Sequence, residues 1–277
     1  MEYTELSVDV SSLSEELKEW IMAELSVADF ESVMEEENQI KAYIPSQSFD
    51  DGNLEALKKL LESNRLEMQV KQIPFQNWNS EWEKNYDPVV IQDRVHIRAD
   101  FHPKLPDMEH ELLINPKMSF GTGHHQTTEL MILYCLDTDF NQKRVLDMGT
   151  GTGVLAILAA KKGAKSIDAF DIDENSVENA RENVRLNRCA HIQVERGEAN
   201  FLRSDEYDFI LANINKNVLI HDMSYYARSL RAGGILIISG FFLSDAQDLI
   251  DEANRHRLTY RNHKCKNKWS AISFQKK

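Results

Sequence analysis

The sequence predicts an α/β protein: a doubly wound, mostly parallel sheet preceded by a smaller α+β unit. Three observations carry this prediction. An apolar strand at 145–148, a glycine turn at Gly149, Gly151 and Gly153, and an apolar helix at 154–160 follow one another without a gap. That succession is the strand–turn–helix signature of a nucleotide-sized ligand site. From Lys143 onward, strand and helix patterns alternate, which implies parallel strands joined by crossover helices. Residues 3–73 instead run β-α-β-β-α-β, the order of a ferredoxin-like sandwich.

Taken in order, residues 3–10 alternate polar and apolar and read as a half-buried strand. Ser12 or Ser14 is placed to cap a helix whose apolar face is Leu13, Leu17, Trp20, Ile21 and Leu25. Segments 30–36 and 39–44 flank a turn at Glu37 and Asn38, as a hairpin would. Asp50 or Asp51 opens a second helix carrying Leu54, Leu57, Leu60 and Leu61, and 66–73 alternates again as a strand. Residues 74–88 read as a linker helix with Trp78 and Trp82 four apart on one face. The second domain, 89–277, begins with strands at 89–98 and 111–114.

A glycine loop follows, containing Phe120, Gly121 and Gly123, before a helix at 129–136 capped by Thr127 or Thr128. The adjacent pair His124 and His125 lacks supporting ligands at metal spacing, so no metal is expected. The threonine hydroxyls and backbone of this loop are better suited to touching a bound cofactor. Later strands are predicted at 165–170, 192–195, 207–213 and 235–239, with helices at 173–187, 218–230 and 244–255. Two closing strands, 258–263 and 269–274, complete the sheet as a hairpin. Ligands of such sheets lie beyond the carboxyl ends of the strands. Gly149, Asp171, Glu198 and Asn213 all fall at such ends. Asp171, closing the strand after the glycine turn, is placed to accept the hydroxyls of a ribose.

The net charge of −13 is unevenly spread. Residues 1–64 hold 16 acidic and 4 basic side chains, net −12, whereas the other 213 residues hold 29 and 28, net −1. An acidic module of this kind repels nucleic acid and attracts a basic protein. No apolar run reaches membrane-spanning length, and the opening residues lack a signal-sequence pattern. Cys135, Cys189 and Cys265 are far apart without paired spacing. A cytoplasmic location is therefore expected.

The strict alternation of Gly149, Gly151 and Gly153 after Asp147 departs from the G-x-G-x-x-G dinucleotide fingerprint. It resembles the first motif of the S-adenosylmethionine-dependent methyltransferases. With the loop Phe-Gly-Thr-Gly-His-His-Gln-Thr-Thr (120–128) and the linker Asn-Trp-Asn-Ser-Glu-Trp (77–82), the whole chain resembles the PrmA family. These are bacterial methyltransferases of large-subunit ribosomal protein eleven. The resemblance implies a Rossmann-like, seven-stranded methyltransferase domain behind a ferredoxin-like recognition domain. It implies S-adenosyl-L-methionine as methyl donor and trimethylation of lysine side chains and of the α-amine of that ribosomal protein. The family's cofactor positions fall on Thr128, Gly149, Asp171 and Asn213; Phe120, Gly151 and Glu198 are further expected contacts. Thr128 is expected to hold the methionine end and Glu198 to meet the adenine or ribose. Asn213 is the expected catalytic residue, accepting a hydrogen bond from the incoming amine. Gln126 and Asn215 depart from the family's usual residues. Asn215-Lys216 after Asn213-Ile214, in place of Asn-Pro-Pro-Tyr, argues against glutamine chemistry. The remaining rivals are a nicotinamide-dependent oxidoreductase, which the glycine spacing disfavours, and a non-catalytic protein that docks to the ribosomal protein, which retention of the four cofactor positions disfavours.

Overall fold

In the computed structural model the described residues are 3–11, 13–36, 38–73, 86–115, 117 and 119–277. The tryptophans Trp78 and Trp82, most of the expected linker helix, and Ser12 and Glu37 lie outside them. The chain divides into two compact units, Met1–Asn85 and Tyr86–Lys277.

The first unit is built on strands β1 (Tyr3–Asp9), β2 (Ser32–Glu36), β3 (Gln39–Pro45) and β4 (Met68–Ile73), in the order β2-β3-β1-β4 and antiparallel throughout. Helices α1 (Glu15–Val27) and α2 (Glu55–Ser63) pack on this sheet. Ser14 caps α1, and the turn into β3 places Asn38 at φ +68°, a conformation asparagine tolerates. The alternating faces of β1 and β3 bury Leu6, Val8, Ile40, Ala42 and Ile44 against Ile21, Leu25, Leu57 and Leu61. Trp20 departs from the expected apolar face and is 59% exposed. Leu17, Ile21 and Leu25 recur every four residues and take the buried stripe, so Trp20, one residue before Ile21, is rotated about 100° away from it.

The second unit opens with strands β5 (Val89–Ile91), β6 (Val95–Arg98) and β7 (His110–Leu113), which form a three-stranded sheet. The single strand expected at 89–98 is instead a hairpin. Gln92 and Asp93 both take positive φ, 50° and 54°, in a tight turn closed by the Arg94 amide donating to the Ile91 carbonyl at 3.1 Å. The large sheet comprises β8 (Arg144–Met148), β9 (Ser166–Asp171), β10 (Ile192–Arg196), β11 (Tyr207–Asn213), β12 (Leu230–Phe242), β13 (Leu258–Lys266) and β14 (Trp269–Lys276). Their order is β10-β9-β8-β11-β12-β14-β13. The first five are parallel; β14 runs antiparallel to β12, and β13 antiparallel to β14. The glycine turn expected at 233–234 does not interrupt β12; it lies in a register shift opposite Tyr207 and Phe209.

Helices α3 (Gln126–Asp137), α4 (Val154–Lys161) and α5 (Glu174–Leu186) bury their apolar faces in one core. Helices α6 (Lys216–Ser229) and α7 (Ala246–Arg255) pack in the other. The central strands face both cores: Val145 and Leu211 sit in the first, Leu146 and Ile210 in the second. Covered on both sides, they read as continuous apolar runs. Strand order reverses between β8 and β11, so a crevice opens at their carboxyl ends.

Candidate active site

The glycine turn joins β8 to α4. Gly149, Gly151 and Gly153 have φ of 71°, 54° and 82°. A Cβ on Gly151 would lie 2.2 Å from the carbonyl oxygen of Phe120, and one on Gly149 would lie 2.2 Å from Cγ2 of Ile214. Only glycine meets both the backbone conformation and the close approach. The amides of Gly149 and Thr150 donate to the Phe170 carbonyl at 2.8 and 2.9 Å, tying the turn to the end of β9.

That tie sets Asp171. Its Oδ2 accepts from the Gly151 amide at 2.9 Å and its Oδ1 from the Asp173 amide at 3.1 Å. Each oxygen keeps a further lone pair for a ligand hydroxyl. Beneath the turn lies Asp147, which sequence reasoning noted only as the residue before the glycines. It is buried, and its Oδ2 accepts from Thr150 Oγ1 at 2.8 Å and from the Ala156 amide of α4 at 3.1 Å. Its Oδ1 has no partner among the described residues. Burial pushes its carboxyl up to about 6, against the opposing effect of those two hydrogen bonds.

The loop before α3 is stitched onto the glycine turn. The Thr152 amide donates to the Phe120 carbonyl at 2.9 Å, and Thr152 Oγ1 donates to the Gly121 carbonyl at 2.7 Å. The cap of α3 is His125 rather than a threonine: its Nδ1 accepts from the Thr127 amide. The helix therefore starts at Gln126, earlier than the sequence suggests, and both threonines lie in its first turn. Thr128 is fully buried, and its Oγ1 has no partner among the described residues.

A cavity of about 650 Å³ opens at these strand ends. Phe120, Gly149, Gly151, Asp171, Glu198 and Asn213 line it; Thr128 does not, although its chain neighbour Thr127 does. Asn213, the last residue of β11, carries a second buried oxygen, Oδ1, without a partner among the described residues. Asn215 caps α6 through its side chain at 3.1 Å from the Val218 amide, which accounts for its departure from the family's usual residue.

Several lining residues escaped sequence reasoning. Trp269 arrives on β14, beside β12, and completes an aromatic chain. Ring centroids are 5.3 Å apart for Phe120–His125, 4.7 Å for His125–Trp269 and 4.3 Å for Trp269–Phe242. His221 and Asp222, from α6, also line the cavity. Behind the loop, Asn179, Asn183 and Asn187 recur every four residues along α5. Asn187 exchanges hydrogen bonds with the Leu113 backbone, and Asn183 accepts from the Asn115 amide while donating to the Thr152 carbonyl. Asparagine at helical spacing, on the face that also carries Val177, Ala180 and Val184, was the available signal. Among the described residues, no group of three metal-ligating side chains lies together, and no helix is long and apolar enough to cross a membrane.

Comparison with known proteins gives a consistent result. The family described as "Ribosomal protein L11 methyltransferase (PrmA)" matches residues 3–277. A ribosomal protein L11 methyltransferase of Phocaeicola vulgatus is 40% identical over 281 residues, covering 99% of each chain. One from Porphyromonas gingivalis is 44% identical over 262 residues, covering 92% of this chain and 89% of the relative. Among solved structures, ribosomal protein L11 methylase from Lactobacillus delbrueckii subsp. bulgaricus is 27% identical with a TM-score of 0.62, covering 69% of this chain and 100% of that one. The match over nearly the whole length, with the glycine turn, loop and cavity in place, makes this chain a member of the ribosomal protein L11 methyltransferase (PrmA) family.

Proposed function

We propose that this protein transfers methyl groups from S-adenosyl-L-methionine to amino groups of ribosomal protein L11, trimethylating lysine side chains and the α-amine. The observation that carries the reading is the Oδ1 of Asn213, buried and without a partner among the described residues, on a residue lining the same cavity as Gly149, Gly151 and Asp171. A buried polar atom without a partner costs roughly 1–3 kcal/mol, and a polar ligand would relieve that cost. The residues fit the methyl donor in kind. Asp171 offers carboxylate oxygens to a ribose, the glycine turn offers backbone at close range, and Thr128 offers a hydroxyl to the methionine end. Glu198, on the loop after β10, serves the adenosine side.

When bound, the donor supplies a sulfonium-activated methyl group. The chain's own residues present the amine. Asn213 Oδ1 accepts a hydrogen bond from the incoming amine and so aims its lone pair. The aromatic chain through Phe120, His125 and Trp269 presents ring faces that tolerate a cation however many methyl groups it carries. A free lysine has a pKa of about 10.4, so presenting it neutral near pH 7 costs roughly 4–5 kcal/mol. Loss of water around the amine as it enters the cavity lowers that cost by disfavouring the ammonium.

In this reading residues 1–73 form a ferredoxin-like recognition domain, 74–88 a linker, and 89–277 the seven-stranded catalytic domain. The acidic first unit docks the basic substrate protein, with the exposed Trp20 and Val27 as apolar anchors within the acidic surface. Neither nucleic acid nor membrane is engaged directly, and the site of action is the cytoplasm. The test is intact-protein mass spectrometry of ribosomal protein L11 incubated with this protein and the donor. Increments of about 14 Da, in groups of three per amine on peptide mapping, are expected. Donor binding without any increment would overturn the substrate assignment.

A further inference from the structure

Each methyl transfer to an amine also releases one proton. The amine nitrogen gains a bond to carbon, the sulfur–methyl bond breaks, and an ammonium proton must leave before the lone pair can attack. Trimethylating one lysine repeats this three times, so on the proposed reading the site needs a proton acceptor that is regenerated between rounds.

The ionisable side chains lining the cavity are Asp171, Glu198, His125, His221 and Asp222. Both oxygens of Asp171 accept backbone amides, and Glu198 Oε2 accepts from the Asn200 side chain at 3.2 Å. His125 accepts the Thr127 amide at Nδ1, so its neutral ring carries the proton on Nε2 and presents a donor there. His221 is arranged the other way round. Its Nδ1 lies 2.8 Å from Asp222 Oδ1, so the carboxylate holds the proton on Nδ1 and leaves Nε2 as a lone pair. Asp222 is anchored in turn: its side chain is 13% exposed, and its Oδ2 accepts from the hydroxyl of fully buried Tyr226 at 3.2 Å. Burial holds that phenol far above its ordinary range, so it remains a donor.

We propose that His221 is the proton acceptor of the reaction, with Asp222 and Tyr226 as the positioning residues that fix its tautomer. Proton transfer from the substrate ammonium to Nε2 leaves a neutral amine and an imidazolium. His221 is 77% exposed, so the imidazolium returns its proton to bulk water before the next round. The arrangement has the logic of a base oriented by a buried carboxylate. The neighbouring charges do not intrude: on α7 and the turn before it, Asp245 and Asp248 are both engaged by Lys216, while Arg228 lies over Tyr225, 5.3 Å from its ring centroid.

The test compares kcat for methyl transfer between pH 7 and 9 in wild type and His221→Gln. With an internal acceptor, proton transfer occurs inside the complex and wild-type kcat is nearly flat. Without it the proton must leave to solvent first, so the variant should be slowed at least tenfold at pH 7 and recover about tenfold per pH unit. Donor affinity by calorimetry should stay within twofold. Nitrogen-15 NMR of the His221 imidazole supplies a readout independent of activity: the Nδ1–H tautomer is expected in wild type and should be lost in Asp222→Asn. Parallel pH profiles, or an Nε2–H tautomer in wild type, would overturn the proposal and leave the methyltransferase reading intact. A wild type that transfers no methyl to the protein removes both.

Discussion

Asp171 and Asp147 stand on either side of one glycine turn, and their environments assign them different work. Asp171 lies at the cavity with lone pairs to spare. Asp171→Ala should weaken donor binding by roughly 1.5–3 kcal/mol, the range for hydrogen bonds to a charged group. Calorimetric affinity equal to wild type would take Asp171 out of the site. Asp147 is sealed beneath the turn, and its carboxyl is raised from 3.8 to about 6. A carboxyl raised on folding favours the native state when protonated in both states, and that contribution is lost as pH rises through the folded value. Asp147→Asn keeps an oxygen for Thr150 and Ala156 and removes the buried charge. Wild type should therefore gain stability relative to Asp147→Asn by roughly 1–2 kcal/mol between pH 8 and pH 5. Urea unfolding at the two pH values checks this, and a constant difference would show that burial does not govern this carboxyl.

At the scale of elements, the site depends on segments that have little regular structure of their own. The loop carrying Phe120 is held from one side by the glycine turn and from the other by the asparagine row of α5. Asn183 bridges the two, joining the Asn115 amide to the Thr152 carbonyl from a fully buried position. Asn183→Ala leaves both groups without their side-chain partner, so a loss of about 2–4 kcal/mol in stability is expected. Because the loop shapes the cavity, donor affinity should fall with it. A variant with wild-type unfolding midpoint and wild-type affinity would show that the loop is held elsewhere. The seven-residue strand at 207–213 agrees with its expected bounds, and α5, expected at 173–187, runs Glu174–Leu186 with Asp173 as its cap. These elements carry strong local signals. The hairpin at 89–98 and the histidine cap of α3 do not, since each depends on one or two residues in an uncommon role.

For the whole molecule, charge is the organising quantity. Residues 1–64 carry net −12 and the rest net −1, so electrostatic attraction of a basic protein should act through the first unit. Interactions between exposed charges are screened beyond a Debye length of about 4–5 Å at 0.5 M salt, against about 14 Å at 50 mM. Raising salt over that range should increase KM for the protein substrate at least severalfold and change donor affinity less than twofold. Equal sensitivity of both would disconnect the acidic unit from substrate recognition. Removing residues 1–73 should have the same selectivity in stronger form.

The sequence by itself determined the α/β alternation, the glycine turn, the acid closing the following strand and the charge split between the two ends of the chain. All of these are local, because periodicity, glycine spacing and composition are properties of short windows. It also carried the family resemblance, through the glycine motif, the loop at 120–128 and the linker at 77–82, each a contiguous stretch. Tertiary structure alone decided which distant residues meet there. Trp269 reaches His125, 144 positions earlier, only because β14 pairs with β12 and not with its parallel neighbours. Asp171 and Asn213 line one cavity only because β9 and β11 end at the same edge, on either side of β8. Sheet order and helix packing set those encounters by burying apolar surface across the entire chain, a long-range balance that no single stretch of sequence records.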